Sequence, residues 1–331
     1  MPRFNWGMIA TGNIATQFAN AINQTEHAHL SSVYSRTLAK AKSFAKAHNA
    51  SHYFDDLALM LADSNLDIVY IASPHPFHYS QAKACIMAGK SVLCEKPICI
   101  NQQQAAELFA LAEQHQVLLM EAMMIPQFPA FATLQQLIES GELGQVKSIQ
   151  AGMGFAAERD WSNRVFNPEL GGGALLDVGI YPLTFAYLLC NSEVNQISSQ
   201  VEKAPTGVDM QTQINMAFQC GVLASLSCSV GHYIPCQARV LGEQAMAEID
   251  NFSFAPTEIK ILDKTGSLIK TIPCPYQGDA YELEVKHIQT CLEQGLLQSP
   301  LMPTKHSLAV LGLMDKLRQQ WQLRYPGEQE Q

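Results

Sequence analysis

The chain has 331 residues, of which 47% are hydrophobic and 15% are charged. At a typical ~150 residues per domain, this length predicts about two domains, and the composition excludes a small disulfide scaffold and a disordered chain. Twenty-one Lys and Arg residues against thirty Asp and Glu residues give a net charge of −9. Because no broad positive field is available to attract phosphate groups, we expect neither nucleic acid nor a membrane surface as a partner.

The cysteines and the apolar segments bear on where the protein works. Nine cysteines are an odd number and include no C-x-x-C pair, which indicates reduced thiols in a cytoplasmic protein. The first residues contain no long apolar segment, and the most apolar later stretch, 174–190, is interrupted by Asp177 and Pro182. We therefore expect neither a signal peptide nor a membrane span. We also expect no metal site.

The first part of the chain alternates short apolar runs with stretches of helical periodicity, which is the pattern of a parallel sheet covered by helices. The predicted strands are Phe4–Ala10, His29–Tyr34, Ile68–Ala72, Ser91–Cys94 and Val117–Met120. After the first strand, Ile14, Phe18, Ala21 and Ile22 fall on one face of a predicted helix. Residues 1–121 are thus predicted to form a doubly wound, Rossmann-type α/β domain.

The rhythm changes after residue 121. Two helical patterns, roughly 130–140 and 173–189, flank a strand near 146–152. Residues 196–272 form a series of β-rich runs separated by turn signals, which indicates a mostly antiparallel sheet. Two closing helices are predicted near 281–294 and 304–322. Residues 122–331 are therefore predicted to form a second, α+β domain.

The first strand leads into a helix through Ala10, Thr11, Gly12, Asn13, Ile14 and Ala15. In this setting, backbone N–H groups and the helix N-terminus bind the pyrophosphate of a dinucleotide. The usual G-x-G-x-x-G/A pattern stands here as A-x-G-x-x-A, so Gly12 keeps its place and Ala10 replaces a glycine. A tight strand-to-helix turn in any parallel fold is the alternative interpretation.

The end of the second strand discriminates between the two nicotinamide dinucleotides. A site for NAD usually has a carboxylate here, whereas the 2′-phosphate of NADP requires cations and hydroxyl groups. The chain has Ser35, Arg36 and Thr37, followed by Lys40. These residues predict NADP, with NAD less favoured. The alternative is a solvated turn at the start of a helix.

Two further segments follow central strands of the predicted sheet, at the carboxyl edge where such folds bind ligands. Ser73, Pro74, His75 and His78 follow one strand, and we expect them near a cofactor, although a helix cap or a surface position would also explain the histidines. Lys96 directly follows the next strand. A nearby positive charge, such as an oxidised nicotinamide, can lower the pKa of such a lysine until it acts as a base. A surface lysine is the alternative.

One glycine-rich stretch stands out in the second domain. Gly171, Gly172 and Gly173 permit a close approach of the backbone to a ligand or to another segment. Asp177 and Tyr181 follow at a spacing of four residues, so they lie on one face of a helix and point the same way. The alternative is an amphipathic helix whose tyrosine packs in the core and whose aspartate is a buried acceptor.

Together these motifs resemble the glucose–fructose oxidoreductase/inositol dehydrogenase (Gfo/Idh/MocA) family of NAD(P)-dependent dehydrogenases over essentially the whole chain. The motifs that carry the resemblance are Gly7–Ala15, Glu95-Lys96-Pro97, Glu121-Ala122 and Gly171–Pro182. Asp177–Pro182 and Ser299–Pro303 are most similar to the branch of dimeric dihydrodiol dehydrogenases and NADP-dependent D-xylose dehydrogenases.

The resemblance implies roles by position. Lys96 matches the lysine beside the nicotinamide and the substrate hydroxyl, Asp177 the helix carboxylate, and Tyr181 the residue that faces the substrate. Glu95, Pro97, Glu121 and Arg164 match positions near the cofactor. Substrate specificity is expected around Phe155, Arg159, Trp161, Tyr233 and Tyr281. The resemblance also implies a homodimer through the open face of the second sheet, to which we assign the apolar run 222–230.

The expected function is the transfer of a hydride between NADP and a CH–OH group of a small molecule: a cyclic polyol, a trans-dihydrodiol or an aldose. Two departures from the family pattern keep alternatives open. Ala10 replaces a glycine, and Pro126 stands where this branch often has an arginine. The alternatives are a reductase of keto-sugars or dicarbonyls, and a non-catalytic protein that senses NADP(H).

Overall fold

The structure is a computed structural model that describes residues 4–326 and residue 328. The strands are β1 (Phe4–Ile9), β2 (Ala28–Tyr34), β3 (His52–Phe54), β4 (Ile68–Ile71), β5 (Ser91–Glu95), β6 (Leu119–Ala122), β7 (Val146–Ala156), β8 (Val194–Lys203), β9 (Asp209–Phe218), β10 (Leu223–Ser229), β11 (Gly231–Gly242), β12 (Met246–Asp250), β13 (Glu258–Leu262) and β14 (Leu268–Pro273). The α-helices are α1 (Asn13–Gln24), α2 (Leu38–Ala47), α3 (Leu57–Leu61), α4 (His78–Met87), α5 (Gln102–His115), α6 (Pro129–Glu139), α7 (Ile180–Cys190), α8 (Ala280–Glu293) and α9 (Thr304–Gln320).

The chain divides into two compact units. Unit 1 comprises the described residues up to 124 together with 278–308, and unit 2 comprises 125–277 together with the described residues from 309 onwards. This division differs from the predicted boundary at 121 mainly at the C-terminal end. The sequence predicts both closing helices in the second domain, but α8 and the first turn of α9 belong to unit 1. The reason is that α8 packs against α1 and completes the apolar core there.

Unit 1 contains a six-stranded parallel sheet with the strand order β3-β2-β1-β4-β5-β6. This order and the intervening helices confirm the predicted doubly wound fold. Strands β1, β4 and β5 are nearly continuous apolar runs because helices cover both faces of such a sheet. The short strand β3 escaped prediction, since three residues with mostly exposed side chains carry no periodic signal.

The core of unit 1 forms around aromatic side chains. Phe18 on α1 stacks on Tyr70 of β4 and also contacts Trp6 of β1. As predicted, Phe18, Ala21 and Ile22 are buried on one helix face, whereas Ile14 at the start of α1 is largely exposed. This packing holds α1 against the sheet and fixes the turn that connects β1 to α1.

Unit 2 contains an eight-stranded sheet with the order β14-β13-β12-β11-β7-β10-β9-β8. All neighbouring strands are antiparallel except β7 and β10, as expected for a mostly antiparallel α+β unit. The apolar run 222–230 alternates across this sheet, so Ala224, Leu226 and Cys228 are buried while Leu223 is exposed. Of the nine residues of this run only Leu223 and Ser225 are exposed and six are buried, and its part in a dimer stays a prediction.

The helical segment 168–190 is the most apolar part of the chain. It is long and apolar enough to cross a membrane by composition, and 78% of its most apolar window is buried inside the protein. A core helix passes the same test. The first turns, Leu175–Gly179, form a π-helix that leads into α7. Such wide turns often mark functional sites.

Candidate active site

The turn between β1 and α1 contains an alanine in the left-handed conformation. Ala10 has a φ of 83°, which is the left-handed conformation that glycine adopts without strain. Its N–H donates to Tyr34 O at 3.0 Å, which ties the turn to the end of β2. Ala10 thus adopts a conformation that is free of strain for glycine, and alanine bears the conformational cost.

The start of α1 is open in a way that fits a pyrophosphate group. Gly12 lies at the N-cap and makes no side-chain cap, and a Cβ added to it would meet no protein atom within 4 Å. Thr11 is half-buried, while Asn13 and Ile14 are exposed beside it. The free N–H groups of this 12-residue helix can therefore bind an anion.

The end of β2 presents a second open helix start. Thr37 is the N-cap of α2, but its side chain makes no capping hydrogen bond, and the first turn contains no acidic residue. Arg36, Thr37 and Lys40 are exposed, whereas Ser35 is buried and donates its N–H to Phe54 O at 3.1 Å. Two cations and a free hydroxyl group at a helix N-terminus suit a phosphate monoester.

The loop after β4 is held by buried contacts. His78 is fully buried, with Nδ1 2.9 Å from Pro97 O and Nε2 2.7 Å from Ser73 O. Burial lowers its pKa, and the charge of Lys96 acts in the same direction. Because both ring nitrogens face main-chain carbonyls, His78 fastens the loops after β4 and β5 to each other. Contact of His78 with a cofactor stays a prediction, as it does for Pro74 and the buried His75.

Lys96 lies just beyond β5, near one half-buried and one buried carboxyl group. Glu95 precedes it, and Glu121 lies on the neighbouring strand β6, opposite Cys94. Burial raises the pKa of both glutamates, and the nearby charge of Lys96 opposes this rise in each. Lys96 is therefore within electrostatic reach of two acids in a low-dielectric setting. The peptide bond between Lys96 and Pro97 is cis.

Glu121 supports the loop that carries Lys96. Its Oε1 accepts the N–H of Ile98 at 3.0 Å, and its Oε2 accepts the hydroxyl of Ser307 at 2.6 Å. Both carboxylate oxygens are thus used within unit 1. The geometry gives Glu121 a supporting role, and a direct contact with a cofactor remains a prediction.

A buried acidic cluster lies behind Glu95. The hydroxyl of Tyr70 donates to Glu95 Oε1. Glu284 on α8 is fully buried, and neither of its carboxylate oxygens has a hydrogen-bond partner. Burial raises the pKa of Glu284 well above its usual range, and the charges of Glu95 and Asp279 raise it further. Burial therefore favours the protonated form of the Glu284 carboxyl group.

In unit 2, Asp177 forms an ion pair with Arg164, with Arg164 Nη2 3.0 Å from Asp177 Oδ1. Asp177 is nearly buried in the π-helical turn, while Arg164 is partly exposed. Tyr181 is also buried, and its ring packs 5.6 Å from that of Phe254. Contact of Arg164 with a cofactor stays a prediction. In the structure its guanidinium holds the carboxylate of Asp177.

The residues expected to set specificity fall into two groups. Phe155, Arg159, Trp161 and Tyr233 belong to unit 2 and are all exposed to some degree, and the ring of Trp161 packs 5.1 Å from that of Phe166. Tyr281 belongs to unit 1, where its ring meets that of Phe18 edge-on. Burial raises the pKa of Tyr281 above its usual value.

Several residues that shape these sites escaped prediction: Tyr70, Glu284 and Ser307 in unit 1, and Asp209 and Tyr325 in unit 2. A tyrosine within the buried run of β4 must find a hydrogen-bond partner, so Tyr70 was open to prediction. The others act on segments far away in the sequence. Tyr325, for example, contacts Gly172, 153 residues earlier. No local pattern signals such a contact.

Both units match known family models. Residues 4–123 match the model described as "Oxidoreductase family, NAD-binding Rossmann fold", and residues 131–248 match the "GFO/IDH/MocA C-terminal domain". The chain is similar to the trans-1,2-dihydrobenzene-1,2-diol dehydrogenase of Xenopus laevis, with 31% identity over 97% of this chain and 99% of the relative. For the Mus musculus protein of the same name, identity is 30% over 97% of this chain and 98% of the relative.

Solved structures share the fold at lower sequence identity. The aldose-aldose oxidoreductase of Caulobacter crescentus superimposes with a TM-score of 0.88 at 21% identity, covering 97% of this chain and 98% of the other. KijD10, a 3-ketoreductase from Actinomadura kijaniata in complex with NADP and TDP-benzene, gives 0.87 at 22% identity, covering 96% and 97%.

Proposed function

Since this chain belongs to the Gfo/Idh/MocA family of oxidoreductases, we propose that it is an NADP-dependent dehydrogenase acting on a CH–OH group. The substrate class that we propose is a cyclic polyol, a trans-dihydrodiol or an aldose. The observation that carries the proposal is the setting of Lys96, a lysine at the carboxyl edge of the parallel sheet beside the half-buried carboxyl group of Glu95 and the buried one of Glu121. A further part of the proposal is that the protein works in the cytoplasm.

The choice of NADP rests on the start of α2. The exposed side chains of Arg36 and Lys40 and the uncapped hydroxyl of Thr37 supply the cations and donors that a 2′-phosphate requires. The position after β2 that would bind a ribose diol through a carboxylate is occupied by Ser35. The NADP in the KijD10 structure is consistent with this choice.

The residues of this chain account for the proton and for orientation. When bound, NADP⁺ supplies the hydride acceptor. Lys96 hydrogen-bonds the substrate hydroxyl, and we assign to it the proton that leaves this group as the carbonyl forms. We assign Tyr181 to orienting the substrate, and Asp177, whose carboxylate is held by Arg164, to positioning it. Phe155 and Trp161 offer ring faces that suit the C–H surface of a sugar or a dihydrodiol.

A panel of polyols, dihydrodiols and aldoses, assayed with NADP⁺, tests this function. Replacing Lys96→Met is expected to lower kcat about 10²–10⁴-fold, the usual contribution of acid–base catalysis, and to leave NADPH affinity within about threefold. The control is Lys46→Met, which removes an exposed lysine from the last turn of α2. Near-normal turnover in the Lys96 variant contradicts the assignment.

Two other functions remain as the alternatives to this proposal. A reductase of keto-sugars or dicarbonyls uses the same residues in the opposite direction, and faster turnover with NADPH and a carbonyl panel identifies it. A non-catalytic NADP(H) sensor is suggested by Ala10 and Pro126. Any turnover that depends on Lys96 excludes the sensor.

We also propose that the protein is a homodimer formed through the open face of the unit 2 sheet. Leu223 on β10 and Tyr233 on β11 are 58% and 72% exposed, on the two strands that flank β7, and such exposure is unusual for large apolar side chains. Light scattering is expected to give twice the chain mass, and Leu223→Glu to give a monomer. Leu59→Glu, at a similarly exposed leucine in unit 1, is the matched control. A monomeric wild type contradicts the proposal.

A further inference from the structure

The glycine turn before Asp177 is tightly joined to the segment that carries Arg164. The N–H of Gly172 donates to Asn167 O at 2.9 Å, and the N–H of Gly173 donates to Val165 O at 2.8 Å. A Cβ at Gly172 would lie only 2.7 Å from Arg164 O. The backbones that bear the two partners of the ion pair therefore move as one piece, and only glycine permits this approach.

Asp209, the first residue of β9, fixes the helix start behind this turn. It is fully buried, and its Oδ2 accepts the N–H of Leu175 at 2.6 Å. Leu175 is two residues before Asp177, whose own N–H donates to Gly173 O at 3.2 Å. A Cβ at Gly173 would collide with Asp209 Oδ1. Asp209 therefore satisfies an otherwise unpaired N–H at the start of the helical segment that carries Asp177 and Tyr181.

Tyr325 holds the same turn from the C-terminal segment. Its buried hydroxyl donates to Gly172 O at 2.5 Å, and its N–H donates to Glu328 at 2.8 Å. The guanidinium of Arg318 on α9 lies 5.2 Å from the centre of its ring and forms ion pairs with Glu328 and Asp315. The aromatic hydroxyl is thus held in place by a buried charge network.

We propose that Asp209 and Tyr325 are positioning residues, which hold the glycine turn and the following helix start in the geometry that presents Asp177 to the reaction. The role in the reaction rests on the proposed function. Both residues act through the backbone of 172–177, and all of these contacts lie within unit 2. A displacement of about 1 Å at a reacting group costs roughly 10²-fold in rate, so loss of either anchor reduces kcat more than substrate binding.

The charge of Asp209 gives this role a pH signature. Burial raises its pKa to about 7, while the N–H groups of Leu175 and Ala174 and the charge of Arg318 oppose the rise. The other titratable groups around it are Tyr325 and Cys228, whose own pKa values are raised, so both are neutral at pH 7. Protonation of Asp209 below pH 7 weakens its bond to Leu175 N–H, because a neutral acceptor binds less strongly than a charged one.

Hydrogen exchange tests the positioning role without turnover. In Asp209→Ala and Tyr325→Phe, we expect the amides of 173–181 to exchange at least tenfold faster than in the wild type, while those of α1 in unit 1 are unchanged. Asp209→Asn keeps an acceptor for Leu175 N–H, so its exchange is expected to lie between that of wild type and Asp209→Ala. Wild-type exchange of 173–181 in Tyr325→Phe and Asp209→Ala overturns the proposal, whether or not a substrate is known.

Kinetics then test the link to catalysis. Tyr325→Phe is expected to lower kcat about 10- to 100-fold with KM and NADPH affinity within threefold. In Asp209→Asn, whose side chain cannot ionise, kcat is expected to stay at the lower level of the protonated wild type, so that the change of kcat near pH 7 is lost. Tyr79→Phe, which removes an exposed hydroxyl group that binds Glu107, is the matched control. An unchanged kcat in Tyr325→Phe with faster exchange overturns the catalytic part. A wild type that binds no nucleotide and turns over nothing refutes the proposed function instead, and leaves the exchange result to decide on positioning.

Discussion

Replacement of Ala10 by glycine tests whether the dinucleotide turn carries the strain that its geometry implies. Ala10 has a φ of 83°, in the left-handed region that alanine rarely adopts. Its N–H is bound to Tyr34 O at 3.0 Å and the next strand residue before it, Ile9, accepts the N–H of Ala72 at 3.0 Å. The backbone on both sides is thus fixed, so the residue cannot relax to a negative φ without loss of these bonds.

The expected gain follows from two opposing contributions. The left-handed conformation costs an L-residue about 1–2 kcal/mol, and glycine avoids this cost. Glycine also has more freedom in the unfolded chain, which costs roughly 0.5–1 kcal/mol on folding. The difference between these contributions is about 0–1.5 kcal/mol in favour of Ala10→Gly, which corresponds to an increase in Tm of up to about 6 °C.

Thermal and denaturant unfolding of wild type and variant measure this difference. Ala106→Gly is the matched control, because Ala106 is exposed in the middle of α5, where the same change is expected to destabilise by about 1 kcal/mol. Opposite signs at the two positions support the reasoning. A lower stability of Ala10→Gly refutes it, since the side chain of Ala10 would then contribute more through packing than its backbone conformation costs.

Gly12→Ala is expected to change the free energy of unfolding by less than about 0.5 kcal/mol, because the added Cβ would meet no atom of the described residues within 4 Å. The same Cβ would occupy the space of a pyrophosphate, so NADPH binding is expected to weaken at least about tenfold. Unchanged affinity in a fluorescence titration contradicts the assignment of this turn. A carboxyl group whose pKa is raised on folding, such as that of Glu284, contributes stability that is complete below its unfolded pKa and is lost as the pH rises towards the folded pKa. Glu284→Gln is therefore expected to gain stability relative to the wild type by roughly 1.4 kcal/mol for each pH unit above about 5. If the difference between the unfolding free energies of the two proteins does not change with pH, Glu284 is not protonated in the fold.

The sequence was sufficient for those features that depend on local patterning. Apolar runs located the central strands β1, β4 and β5, and the four-residue spacing of Asp177 and Tyr181 predicted two side chains on one helical segment. The motif Glu95-Lys96-Pro97 predicted site residues around Lys96. The side chains of Tyr70, Glu284 and Ser307, which lie near them in the fold, were not predicted. The predicted strand Val117–Met120 starts two residues too early. The observed strand β6 begins at Leu119, because Leu119 is the residue that pairs with Val92 of β5.

The remaining features depend on contacts between distant segments. Residues 278–308 return to unit 1 because α8 provides apolar side chains to its core, and nothing in the local sequence of α8 distinguishes that core from the other. The same applies to Asp209. Its sequence position indicates the polar start of a strand, but its side chain is fully buried and accepts the N–H of Leu175. Burial of a carboxyl group is a property of the assembled fold and has no local periodicity.

The affinities for NADPH and NADH, both measured by nicotinamide fluorescence at one salt concentration, test the proposed cofactor most directly. We expect NADPH to bind more than about tenfold tighter, a difference of about 1.4 kcal/mol. We expect Arg36→Ala to remove this preference and Lys46→Ala, at the far end of α2, to retain it. Equal affinity for the two nucleotides, or a preference that survives in Arg36→Ala, contradicts the assignment of the 2′-phosphate site. Failure to bind either nucleotide contradicts the central claim that this chain is an NADP-dependent dehydrogenase.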